Sequence, residues 1–125
     1  WYRRDGDEAV GRVRVGRCFE GPPTRVHGGV LCAIFDEVMG SVFRATGTAS
    51  AFTGELTVRF EAPAPLDTDL EFRARLVSSE GRRRMLEAEG TGPDGRFASA
   101  SAVFIEMKPE HFVTPEARAD QDRRG

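Results

Sequence analysis

Between Val30 and Phe43 the apolar positions Val30, Leu31, Ala33, Ile34, Phe35, Val38, Met39, Val42 and Phe43 go around most of a helical circumference instead of marking one stripe. A helix patterned in this way is buried on nearly all sides. Elsewhere the period changes to two. Val13, Val15 and Phe19 alternate with Arg12, Arg14 and Arg17, with Cys18 interrupting the polar side. Leu56, Val58 and Phe60 alternate with Glu55, Thr57 and Arg59, and Leu70, Phe72, Ala74 and Leu76 with Glu71, Arg73 and Arg75. Two further strand segments run from Arg83 to Gly90 and from Phe97 to Met107, and turn chemistry at Pro63-Ala64-Pro65, Glu80-Gly81 and Pro93-Asp94-Gly95 separates the last four. The order is strand, helix, then four strands on short connections, which predicts an α+β domain with an antiparallel sheet of about five strands curled around one long helix. Ala98, Ala100 and Ala102 share one parity of the last strand and are expected to let the sheet approach the helix closely.

Length and charge narrow the function classes. The 125 residues make one domain, with a core over about residues 10–107 and a charged tail over 114–125 that reads as mobile. With 20 acidic against 18 basic residues, a net charge of −2 gives no electrostatic footprint for nucleic acid. No run reaches the roughly eighteen apolar residues of a membrane span. The amino end WYRRDGDEAV lacks the apolar core of a signal peptide, so a soluble, cytoplasmic protein is expected. Opening at Trp1 instead of a methionine, the sequence is compatible with a trimmed part of a longer product. Two cysteines and two histidines match no zinc spacing, so neither a metal nor a disulfide framework is expected.

Inside the apolar helix stand two carboxylates, Asp36 and Glu37. A carboxylate on a helix wrapped by sheet costs several kcal/mol to bury unless it is paired, hydrogen-bonded or set at a cavity. On an exposed helix edge the two would simply face water. The segment ahead of them weighs against that reading. His27-Gly28-Gly29 opens the helix, whose first N–H groups are unpaired, and glycine lets a ligand come close to that backbone. This is a ready position for a developing oxyanion. Asp36 lies seven residues after Gly29, on the same helix face but about 10 Å along the axis. One reacting carbonyl cannot easily meet both, whereas two antiparallel helices across a two-fold axis bring Asp36 of one subunit to the Gly28 end of the other. A homodimer with composite sites is therefore expected, with a homotetramer as its possible doubling.

His27-Gly28-Gly29 with Asp36 nine residues after the histidine, then Thr53-Gly54-Glu55-Leu56-Thr57-Val58-Arg59-Phe60 and the Pro-Ala-Pro turn, resembles the hotdog-fold acyl-CoA thioesterases. The likeness is greatest to the phenylacetyl-CoA and human thioesterase-superfamily-member type, related to the 4-hydroxybenzoyl-CoA thioesterases, and spans roughly Val10 to Met107. The resemblance implies a hotdog fold and hydrolysis of an acyl-CoA thioester to a free acid and CoA. It assigns Gly28 as the oxyanion donor, Asp36 as the catalytic carboxylate, His27 as a catalytic-site residue that positions the turn and is open to contact with the acyl carbonyl, and Thr53 as the orienter of the attacking water. Gly29 falls in the substrate-binding surface, and Glu37 is the fallback carboxylate, because some relatives use glutamate. No cofactor is implied, coenzyme A being part of the substrate. Its phosphates would suit Arg82, Arg83 and Arg84, with Arg73 and Arg75 nearby, although a basic hairpin turn of this kind is as readily a solvated one. Phe35, Met39 and Phe52 are expected to line the acyl pocket or to be core.

Other signals carry less. Gly90-Thr91-Gly92-Pro93-Asp94-Gly95 matches a dinucleotide fingerprint but lies between two strands, with a hairpin turn at Pro93-Asp94-Gly95. Cys32 sits in an apolar stretch without an orienting partner and reads as core, and His111 as a surface residue. A hydratase or dehydratase would need a second histidine near the helix. A non-catalytic acyl-CoA-binding module is the alternative, and it would have little use for a charge at Asp36.

Overall fold

The computed structural model describes residues 2–5, 8–46 and 51–107, so His111 and the tail 114–125 lie outside the described residues. Strands β1 (Tyr2–Asp5) and β2 (Glu8–Arg14) precede helix α1 (Gly28–Thr46), and β3 (Ala51–Phe60), β4 (Asp69–Glu80), β5 (Arg83–Gly92) and β6 (Gly95–Glu106) follow it. All pair antiparallel, in the order β1-β2-β4-β5-β6-β3. Because β2 and β3 stand near opposite edges, α1 crosses the face of the sheet to connect them. The result is the hotdog arrangement, a curved antiparallel sheet on one central helix.

Among the described residues there are six strands, against the five or so expected. The extra one, β1, is a four-residue edge strand that pairs Tyr2–Asp5 with Glu8–Gly11, and its polar sequence carries no apolar alternation to announce it. The first main strand is also earlier than its alternation suggests. It ends at Arg14, and Arg17–Phe19 form a 3-10 turn that leaves Phe19 exposed.

The apolar parity of each strand faces the helix. Leu70, Phe72 and Ala74 of β4, Leu86 and Ala88 of β5, and Ala98, Ala100, Ala102 and Phe104 of β6 are buried together with Leu31, Phe35, Val38, Met39, Val42 and Phe43 of α1. The helix backbone comes close to β2, β3 and β4, so the alanines of β6 leave room for large side chains instead of drawing the helix onto that strand. At the centre Phe72 meets Phe35 edge-on at 5.2 Å between ring centroids and Phe97 edge-on at 5.7 Å, the geometry that aromatic quadrupoles favour.

This cluster explains the first glycine of the false dinucleotide motif. A Cβ on Gly90 would fall 2.7 Å from the Phe97 ring and 3.2 Å from Phe72. Gly95, at φ 109°, takes the turn conformation that side chains disfavour. Gly90→Ala should therefore cost about 1–3 kcal/mol by overpacking. Gly16→Ala, with nothing within 4 Å of the new methyl, should stay within about 0.5 kcal/mol. Urea unfolding of the pair measures the difference.

The helix itself departs from expectation. Phe35, Val38 and Met39 are fully buried, but Gly29, Ala33 and Glu37 are exposed and Asp36 is half-buried, so α1 keeps one open stripe. That stripe runs beside β3, whose only sheet neighbour among the described residues is β6.

Candidate active site

The helix start is held by a loop that the chain pins from two sides. Gly21 N–H donates to Arg25 O and His27 N–H to Phe19 O, which folds 19–27 back on itself, with the Thr24 N–H on the Glu20 carboxylate at 3.0 Å. Across from it, Val26 N–H donates to Ala64 O, Leu66 N–H to Thr24 O and Asp67 N–H to Val15 O. The Pro63-Ala64-Pro65 segment thus fixes where α1 begins.

Three of the first helical N–H groups now have distinct fates. Val30 N–H donates to His27 O at 3.0 Å, and Gly29 N–H donates to His27 Nδ1 at 3.0 Å. An accepting Nδ1 is unprotonated, so the ring proton of this exposed imidazole sits on Nε2. Gly28 N–H alone meets no acceptor among the described residues. Of the two glycines proposed from sequence, Gly28 therefore presents the available donor at the positive end of the helix dipole, while Gly29 has its amide engaged by His27. A Cβ on Gly29 would come within 3.1 Å of that ring.

Two turns on, the Thr53 hydroxyl donates to Asp36 Oδ1, uniting the helix carboxylate with the start of β3. No cationic side chain pairs with Asp36 among the described residues. Its cost of partial burial is met by this one hydrogen bond and by residual access to solvent. Glu37 is exposed and about 100° away around the helix. With α1 continuous from Gly28 to Thr46, the eight residues from Gly28 to Asp36 correspond to about 12 Å along the axis within one chain.

Sequence reading missed Phe60. Its ring lies 3.5 Å from where a Gly28 Cβ would stand, and 52% of the residue is exposed. The available signal was parity, since Phe60 shares the helix-facing side with Leu56 and Val58 at the end of β3 that closes on the helix start. Phe35 and Met39 belong wholly to the core, and Phe52 pairs with Ile105 on the outer side of the sheet.

The arginine run divides. Arg84 donates to Gly81 O at 2.7 Å and to the Glu106 carboxylate at 2.7 Å, so it braces the β4–β5 hairpin against β6. Arg73 is bound to Glu8 and Glu71, and Arg75 to Glu87. Arg82 and Arg83 are exposed, with no side-chain partner among the described residues, and flank a depression with Glu80, Met85 and Ile105. This hairpin stands at the same end of the sheet as Thr53, because Glu106 bonds to Arg82 O and pairs with Ala51. Among the described residues no group of histidine, cysteine and carboxylate side chains could hold a metal, and no helix is long and apolar enough to cross a membrane.

Comparison with known proteins adds to this geometry. The model of the thioesterase superfamily matches residues 24–98, which run from the loop before the helix into β6. Acyl-coenzyme A thioesterase THEM4 of Mus musculus is 27% identical over 116 residues, covering 91% of this chain and 50% of the mouse protein. THEM4 of Bos taurus is 30% identical over 101 residues, covering 79% of this chain and 41% of its own. The chain thus spans about half the length of the curated relatives it matches. The phenylacetic acid degradation-related protein of Ralstonia eutropha is 25% identical with a TM-score of 0.76, covering 84% of this chain and 83% of that one. A Streptococcus pneumoniae thioesterase protein solved with coenzyme A shares the fold, at 20% identity and a TM-score of 0.76 over 83% of each chain.

Proposed function

Because the chain belongs to the thioesterase superfamily, whose model spans residues 24–98, we propose that it hydrolyses acyl-CoA thioesters to a free carboxylic acid and CoA. The observation that carries the reading is the Thr53 hydroxyl on Asp36, on a helix whose first N–H has no acceptor among the described residues. The thioester oxygen would take the Gly28 N–H, where the helix dipole favours the negative charge of the tetrahedral intermediate. Asp36, held by Thr53, would attack the carbonyl carbon or take a proton from the water that does. His27 keeps the turn in shape through Gly29 and offers its Nε2–H outward.

About 12 Å between donor and carboxylate demands a second chain. The open stripe of α1 and the edge of β3 that no other described strand pairs are the surfaces that suit it: Gly29 and Ala33 allow close helix approach, and an edge strand offers backbone groups for pairing. A two-fold pairing there sets Asp36 of one subunit beside Gly28 and Phe60 of the other. Release of thiol from a panel of aromatic, medium-chain and long-chain acyl-CoAs tests the activity. Binding of CoA without any thiol release would leave a non-catalytic acyl-CoA-binding module in its place.

Arg82 and Arg83 are read as contacts for the CoA phosphates. Such contacts lie far from the scissile bond and bind ground and transition states alike. Neutralising both should raise KM by about tenfold, the equivalent of one charge-assisted hydrogen bond, with kcat nearly unchanged. Arg84→Ala should instead appear as a lower melting temperature, since its partners are Gly81 O and Glu106. An unchanged KM in the double variant would return Arg82 and Arg83 to solvent.

A further inference from the structure

Thr53 and Leu56 are three residues apart, and in a regular strand they would face opposite sides of the sheet. They do not. Leu56, Val58 and Phe60 pair with Ala102, Ala100 and Ala98 on the helix side, and Thr53 pairs with Phe104, which is also buried on the helix side. The register shifts between Thr53 and Glu55, so Gly54 is the extra residue of a β-bulge. An unbroken ladder would set residue 54 opposite Phe104 and send the Thr53 hydroxyl to the outer face, away from Asp36.

The geometry points to Gly54 as a positioning residue: its bulge changes the phase of β3 by one residue and so turns the Thr53 hydroxyl onto Asp36. The residue can be extra because it has no side chain. A Cβ there would stand 3.1 Å from Ile105 Cγ1 and 3.3 Å from the carbonyl oxygen of Val103, and that oxygen is backbone that yields little. A branched side chain is excluded from the bulge but fits a regular pleat. The inference rests on the proposed hydrolysis only where it assigns the Thr53 and Asp36 pair to the chemistry; the phase of the strand is independent of it.

The test uses two substitutions of the same shape. Gly54→Val is expected to close the bulge, turn Thr53 outward and lower kcat by on the order of 10²-fold, the cost of misplacing a reacting group by about 1 Å. KM should change little, and Thr53→Val should match it. Gly54→Thr closes the bulge equally but brings its own hydroxyl inward opposite Phe104, so it should recover most of the lost kcat. Equal kcat in Gly54→Val and Gly54→Thr, or wild-type kcat in Gly54→Val, overturns the inference. If branched residues at this position prevent folding, Gly54→Ala against Gly54→Ser poses the same question with smaller groups. Crystal structures of the variants read which way residue 53 faces without reference to turnover. Residue 53 still facing Asp36 in Gly54→Val sinks the role of the bulge while leaving the proposed function intact. A wild-type protein that hydrolyses no acyl-CoA sinks the function while the facing of residue 53 still decides the bulge.

Discussion

Asp36→Asn is expected to slow thioester hydrolysis by about 10²–10⁴-fold, the range of a lost general base, and by more if the carboxylate attacks directly. The substitution keeps size and shape and replaces the basic carboxylate with a neutral amide. Folding should change little, because the Thr53 hydroxyl that donates to Asp36 Oδ1 can donate equally to an amide oxygen, and no cationic partner is left unpaired. Substrate binding should survive, which makes the variant suitable for trapping a bound acyl-CoA. Glu37→Gln should be mild by comparison, since Glu37 is exposed and rotated away around the helix. Steady-state kinetics of both variants against one acyl-CoA decide it. Full activity in Asp36→Asn with collapse in Glu37→Gln would transfer the catalytic role to the neighbouring residue.

Gly28→Pro is expected to lower kcat by about 10²–10³-fold, the effect of losing one oxyanion donor. Proline at the first position of a helix is well tolerated, and here it deletes an N–H that no group of the described residues accepts. Its ring would meet Phe60 at ordinary contact distance, 3.5 Å from the Cβ position. A melting temperature near that of the parent confirms that chemistry and not fold was lost. The same variant tests the composite site. Mixed dimers of Gly28→Pro with Asp36→Asn chains hold one site built from an intact Gly28 and an intact Asp36, so a random mixture should regain about a quarter of parental activity. No recovery would place both groups of a site in one chain.

Much of this was legible because it follows from local pattern. The all-round apolar run of 30–43 and the parity of the strands gave the helix and the four strands after it, and His27-Gly28-Gly29 marked the helix start. What escaped depends on register and on partners far along the chain. Strand β1 is recruited by pairing with β2, not by any apolar alternation of its own. Nothing in the arginine run reveals that the Arg84 side chain pairs with the Glu106 carboxylate while the side chains of Arg82 and Arg83 do not. The open stripe of α1 looked buried because Ala33 counts as apolar, yet it faces outward. Phe60 reads as one more alternating residue until Gly28 is seen beneath it.

The hydrogen bonds from Val26, Leu66 and Asp67 that tie the loop before α1 to the segment after β3 also bear on the order of folding. They join stretches separated by the whole helix and the whole of β3, and such non-local contacts form late because their loop-closure entropy must be met first. The helix can be complete in a partly folded chain while its first amide is not yet aimed. Competence for catalysis would then arise only with the last long-range contacts. A weakening of the 63–67 segment would be felt as lost turnover at temperatures where helix and sheet are still intact.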